Sequence, residues 1–378
     1  MVKLRVTGGR QARVLLLVMV VPFAASVPFV SAQAPAPAAT IAADDPSVLP
    51  SEIMPRASRS LLLGVAKSSA GYFVVGERGH VLHSLDGKAW TQLKVPTRST
   101  LTSLAVIDNQ VWVAGHNGVI LHSADAGKTW QAQRRDPYAL AAGEQAYDHD
   151  PRQGAPILDI HFSDASNGIA VGAHSLLLIT GDGGATWTPR VAIAASVAPV
   201  AEAAPMEGDI FSEEDLQLGE EADPHLNAVV GAGPGALVIV GERGTFLRST
   251  DAGETWQKLG FPYKGSMFGV LSWGDGRLVA YGLRGNVYES KDLGSSWNKV
   301  ETQGSTSLMG GLALADGAAV LVGANGTVLR RAAFGAAFEP STYKNANDET
   351  PALAGIAPVG GGEYVLVGDK GVDRYHLQ

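Results

Sequence analysis

Apolar positions between residues 48 and 378 fall in short bursts rather than in long periodic stretches. In one segment, Leu226–Gly231 reads as a candidate strand, and Ala-Leu-Val-Ile-Val (236–240) follows as an unbroken apolar run. A run of that length suits a strand covered on both faces. Gly241-Glu-Arg-Gly244 reads as a tight turn, in which glycines are expected to supply positive φ. Thr245–Ser249 alternates apolar and polar residues, as a strand does. Ser249-Thr-Asp-Ala-Gly-Glu-Thr-Trp256 reads as a second turn, and Trp256 opens a further strand. The segment therefore predicts four short antiparallel strands, A to D from inside to outside.

The pattern recurs. Turns of the Gly-x-x-Gly kind begin at Gly76, Gly115, Gly172, Gly241, Gly282, Gly323 and Gly368, the third copy ending in Ser175 instead of Gly. Five are followed by an Asp-bearing turn and a Trp: Asp86 and Trp90, Asp125 and Trp130, Asp182 and Trp187, Asp251 and Trp256, Asp292 and Trp297. Self-similarity at periods of roughly 20–50 residues marks solenoids, propellers and arrays, and four strands per unit is a propeller blade. The fold class is all-β, a seven-bladed β-propeller of four-stranded blades. The repeated Asp is expected to accept backbone N–H bonds inside its turn, and the Trp to pack over the hairpin. These residues read as structural, not catalytic.

The copies are uneven. The sixth has Ala333 for the Asp and Phe338 for the Trp, and the chain stops after strand C of the seventh (Val372–Tyr375). An open last blade would expose a strand edge. Residues near Val48–Pro55 are therefore expected to supply the missing strand, although Pro there is suited only to an edge. The turn glycines are 39, 57, 69, 41, 41 and 45 residues apart. Extra residues thus enter at about 135–156 and 190–224, between strand D of one blade and strand A of the next. Those connections and the B–C turns should share one face, with the Asp turns on the other.

Composition narrows the class. The chain holds 46 Gly, only 17% charged residues and no Cys, which excludes a disulfide framework, a thiolate metal site and a thiol nucleophile. Residues 1–32 read as a cleaved signal peptide: Lys3, Arg5, Arg10 and Arg13 precede an apolar stretch that ends at Val30-Ser31-Ala32. Residues 33–47 form an Ala/Pro-rich linker, and 48–378 the propeller. Loss of the four leader cations would take the net charge from −8 to −12, which argues against nucleic acid as a partner.

Candidate chemistry lies in the B–C turns, whose third positions read Arg78, Asn117, His174, Arg243, Arg284, Asn325 and Lys370. Arg forks suit carboxylates and phosphates. Arg78, Arg243, Arg284, Lys370 and His174 are the expected partner-binding residues. The second insertion is acidic (Glu202, Glu207, Asp209, Glu213, Glu214, Asp215, Glu220, Glu221 and Asp223) and is expected either to be a solvated loop or to mask the Arg turns. The first carries Tyr138, Tyr147, His149, Asp150 and Arg152. The nine His do not cluster at metal-ligand spacing, and phosphate-loop, nucleophile-elbow and His-Glu-x-x-His motifs are absent. No catalytic residue, metal or cofactor is assigned.

The Asp turns resemble the bacterial neuraminidase repeat, or Asp box. The Arg-Ile-Pro segment and Tyr–Glu pair of sialidase catalysis have no counterpart. The stretch Ile157-Leu-Asp-Ile-His-Phe-Ser-Asp-Ala-Ser-Asn-Gly-Ile-Ala-Val-Gly172, leading into the two turns, resembles the photosystem II assembly and stability factor propellers. That resemblance implies a non-enzymatic, exported, seven-bladed protein on the lumenal or periplasmic side. It implies an assembly chaperone that holds subunits of a membrane protein complex through an Arg patch. Some relatives in non-photosynthetic bacteria lie beside transporters of the resistance-nodulation-division type, which makes such a transporter an alternative partner. The expectation is a monomer, peripheral to the membrane and without a cofactor. The rival is a sialidase-like glycan hydrolase or carbohydrate-binding propeller, which would need carboxylates and Arg converging in the central pocket. Strand A residues there are mostly apolar or small, with Asp159 and His161 the main polar exceptions.

Overall fold

The computed structural model describes residues 41–138, 150–191 and 223–377. The expected leader, the linker as far as Thr40, the acidic residues 202–221, and Tyr147 and His149 lie outside them. Seven antiparallel sheets follow one another along the chain, six of four strands and the last of three. Their inner strands are Leu62–Ser68, Leu101–Ile107, Ile157–Phe162, Leu226–Gly233, Met267–Ser272, Leu308–Ala313 and Leu353–Gly360. Each touches the next, and the seventh touches the first, so the blades close into a ring around a central channel. The protein is an all-β seven-bladed propeller. The only helical segments among the described residues are short 3-10 turns, and none is long and apolar enough to cross a membrane.

The apolar runs form strand B of each blade and are buried on both faces. Gly71–Gly76, Leu278–Gly282 and Ala319–Gly323 are buried at every position. Their side chains pack between neighbouring blades: Phe73, Val75 and Val81 of blade 1 meet Leu101, Val111, Val113 and Leu121 of blade 2. Each such side chain contributes roughly 1.5–3 kcal/mol by leaving water. Strand B is thus the reason that consecutive units dock rather than stand alone.

Hydrogen bonds order the two faces of the ring. In all seven blades the residue after the first turn glycine donates its N–H to the carbonyl just before strand A, as Glu77 does to Leu61 and Glu242 to His225. This places the B–C turns and the D–A connections on one face, as the alternation of strands required. The Asp turns bond to the A–B turns on the opposite face, as Ala126 does to Asn109 and Leu293 to Gly276. The two glycines of a B–C turn play different parts. The first is extended (φ −172° at Gly76) and is needed because a Cβ there would strike the Leu61 carbonyl oxygen. Only the second supplies positive φ, 69° at Gly79.

The ring closes differently from the expected strand. Residues 46–54 run along blade 1 instead: Ser51 N–H donates to the Val95 carbonyl at 2.8 Å, Met54 N–H to Gln92 Oε1 at 2.7 Å, and Arg98 N–H to the Pro46 carbonyl at 2.7 Å. Pro46, Pro50 and Pro55 offer no N–H, so a regular ladder cannot form here. The turn Ala57–Arg59 then crosses to blade 7, where Ala57 and Met54 pack on Val367 and Val372. The last sheet is closed by a packed N-terminal strap, and its outer strand Gly371–His376 has no hydrogen-bonded strand beyond it among the described residues.

Candidate functional site

The B–C turns set seven pairs of residues around one face. Arg78, Asn117, His174, Arg243, Arg284 and Asn325 all sit in the left-handed region, at φ between 53° and 57°. Asn tolerates this conformation, whereas for Arg it is uncommon and carries strain. The local reason is the glycine that follows, which continues the turn at positive φ and lets the chain enter strand C. The consequence is that Arg78, Arg243 and Arg284 are exposed on short turns fixed by backbone bonds. Lys370 is exposed too, in a tighter two-residue turn between the paired Gly368 and Gly371.

Ring order divides the cations into two groups. Arg243 and Arg284 stand on adjacent blades 4 and 5, whereas Arg78 on blade 1 neighbours Lys370 on blade 7. Each group gains a cation that the repeat pattern did not reveal, because it lies just before a strand A, in a D–A connection or in the N-terminal strap. The Lys264 Cα lies 3.5 Å from where a side chain at Gly244 would begin, and the Arg59 Cα lies 2.5 Å from the same point at Gly371. Among the described residues Arg78 and Arg284 have no ion-pair partner. Lys370 is paired with Glu349 at 3.2 Å, which weakens it as a contact for another protein. His174 leaves the Arg series: its ring meets His225 edge-on at 5.2 Å, and His225 Nδ1 lies 3.6 Å from Glu242. His225 and Glu242 were invisible to sequence reasoning, since the fold joins blades 3 and 4 there. In the first insertion Arg152 pairs with Asp150 at 3.0 Å, while Tyr138 remains exposed.

On the opposite face the Asp residues do structural work. In blades 2, 3 and 4 the N–H and hydroxyl of Thr129, Thr186 and Thr255 both donate to the carboxylate, at 2.5–2.9 Å. Those donors hold Asp125, Asp182 and Asp251 down at about 2. Asp86 and Asp292 are also below the usual carboxylate range, Asp86 through backbone donors and Asp292 through Ser296 and Ser290 against the opposing effect of burial. Trp130 and Trp256 each donate their ring N–H to a carbonyl of their own turn, at 3.0 and 3.1 Å. Trp187 and Trp297 instead pack edge-on against Phe162 and Phe246.

In the central channel Asp159 is held by donors from two neighbouring blades. Asp159 Oδ1 accepts from the Ser103 hydroxyl at 2.6 Å and from its neighbour Ile160 N–H at 2.9 Å, and Oδ2 accepts from Val229 N–H at 2.9 Å. Burial nevertheless raises Asp159 to about 6. No Arg is among the groups acting on it, so the carboxylate–Arg convergence that glycan hydrolysis needs is not assembled around it. His80 and His83 do not converge: His80 is buried, while His83 Nε2 lies 2.7 Å from the Ala70 carbonyl oxygen near the other face.

Comparison with known proteins bears on this geometry. The family model described as Photosynthesis system II assembly factor YCF48 matches residues 54–138 and 152–340. The match contains Arg78, His174, Arg243 and Arg284 and stops short of Lys370. No curated protein matches the chain. Among solved structures, one described as YCF48 bound to D1 peptide aligns at 16% identity and TM-score 0.59, covering 86% of this chain and 96% of that one. YCF48 from Cyanidioschyzon merolae aligns at 15% and 0.57, covering 87% and 99%. A GH74 enzyme of Niastella koreensis aligns at 14% and 0.60, covering 84% and 52%. At these identities the solved structures speak for the fold alone.

Proposed function

The chain belongs to the photosynthesis system II assembly factor YCF48 family, and on that premise we propose that it is a non-catalytic, exported propeller that holds a subunit of a membrane protein complex during assembly. The observation that carries the reading is the B–C face, where Arg78, Arg243 and Arg284 are presented on rigid turns at strained left-handed positions. Planar donor forks on an acidic molecule suit carboxylate-bearing segments of a partner. A structure of the family is described as bound to D1 peptide, which supports a membrane-protein subunit as the occupant here. The periplasm or lumen is the compartment this reading assigns, and a transporter complex is the alternative target. The protein acts as a monomer at the membrane surface.

The test is recovery of partners from crosslinked membranes with tagged wild type and with the triple variant Arg78→Glu, Arg243→Glu, Arg284→Glu. Both proteins should melt alike, since all three side chains are exposed. One membrane complex recovered with the wild type and lost with the variant is the expected result. Equal recovery with both would remove the Arg turns from the reading, and recovery of no membrane protein would end it.

A further inference from the structure

Blade 3 is the one blade whose connections to both neighbours are long, running from Arg134 to Ile157 and from Pro189 to Leu226, where blade 1 joins blade 2 directly from Leu93 to Leu101. A longer connection tethers neighbouring blades less tightly, by about 0.6 kcal/mol for each doubling of its length. Blade 3 therefore depends on contacts made across its two seams. At the inner rim both seams meet in one side chain. Asp159, on strand A of blade 3, accepts from Ser103 of blade 2 through Oδ1 and from the backbone of Val229 of blade 4 through Oδ2. Thr102 of blade 2 adds a bond to the Ile157 carbonyl at 2.6 Å, and Trp112 one to Gly183 at 3.0 Å. Neither of these reaches blade 4.

We propose that Asp159 is a protonation-sensitive clamp that fastens blade 3 to both neighbours, and that it grips more firmly in mild acid than in mild alkali. The half-buried carboxylate has three donors but no cation to offset its charge. The titratable groups around it are His161, two residues along the same strand and on the same face, and Tyr281, reaching in from blade 5. Burial lowers His161 and raises Tyr281, which in both cases favours the neutral form. Strands A of blades 2 and 4 present Ser103 and Val229 to it, neither of them titratable. The Ser103 hydroxyl can reverse, donating to the carboxylate and accepting from the carboxylic acid. The neutral form thus keeps a bond to each neighbour without a poorly solvated charge. The sign follows from the raised value: stability is full below the ordinary 3.8 and is lost as pH rises through about 6.

Hydrogen exchange of the full chain, followed by mass spectrometry at pH 5 and pH 8 and corrected for intrinsic exchange, tests this. Opening of peptides from 157–180 should increase on the order of tenfold at pH 8, within a ceiling of about a hundredfold for a shift of this size. Asp159→Asn should abolish that difference, and His161→Gln should leave it in place. Ser103→Ala, which removes one donor to the ionised form, should move the midpoint upward, and it decides the matter if Asp159→Asn fails to fold. A pH-independent blade 3, a difference retained in Asp159→Asn, or a loss of protection spread evenly over all seven blades would each overturn the proposal.

Discussion

A single aspartate in this fold is read by its donors. Asp251 sits on the surface, yet Thr255 bonds both its oxygens and holds it at about 2. Its folded value lies below the ordinary 3.8, so its contribution is complete above about pH 4 and disappears as pH falls toward 2. Thermal melts from pH 5 to pH 2 should show a steep loss for wild type and a shallower one for Asp251→Asn, and equal slopes would show that the Asp turns do not carry the acid sensitivity. At the B–C face the strain runs the other way. Arg284 pays for its φ of 55° with no bond from its side chain among the described residues. Arg284→Gly should stabilise the protein by about 0.5–1 kcal/mol in urea unfolding while weakening partner capture. The Asp and Trp roles were legible because five copies repeat them, four in one spacing and the first a residue shorter. The pairing of His174 with His225 was not, because no repeat contains both.

At the level of the element, the first glycine of each B–C turn shows what spacing can and cannot say. Its recurrence was plain, but its cause is steric: at Gly282 a Cβ would strike the Ser266 carbonyl oxygen while the backbone itself is extended. Gly282→Ala should therefore cost roughly 1–3 kcal/mol by urea melt, through overpacking at a turn bond rather than through an unfavourable φ. The sixth blade makes the same point about degeneration. Arg331 takes the place of the Asp-turn Ser, and its guanidinium is fully buried over Phe334 and Phe338, at 4.7 and 5.1 Å, with Glu289 at 3.0 Å. A sequence scan sees only a lost motif there, whereas the blade has exchanged a polar turn for an ion pair inside an aromatic wall. Returning the Ser of the other blades, Arg331→Ser, should destabilise the protein by about 3 kcal/mol, because it strands Glu289. Comparable stability would mean that Glu289 finds water.

For the whole molecule, blade number, strand order and the division into two faces followed from the repeat, since each is a property of the period. The manner of closure did not, because it depends on which of two neighbours the N-terminal residues bond to. The backbone bonds of Ser51 and Arg98 favour blade 1. A chain lacking residues 41–59 should lose exchange protection first in 353–376, where Met54 and Ala57 no longer cover Val372. Uniform protection in that variant would show the strap to be dispensable.

The strap also bears on how the protein reaches its shape. The seam it covers is bridged by contacts such as Lys67 to the Val359 carbonyl, made between residues 292 positions apart. Joining chain ends over that distance costs about 5 kcal/mol of loop entropy, and nothing before blade 7 can repay it. Six blades must therefore stand stacked and open until the last strands are available, with the apolar sides of the first and the sixth that face the gap exposed. Slow, size-dependent folding is expected of such a topology. A permutant joined across the seam and reopened between Val300 and Leu308 would shift that waiting period to a different pair of blades without altering the finished ring.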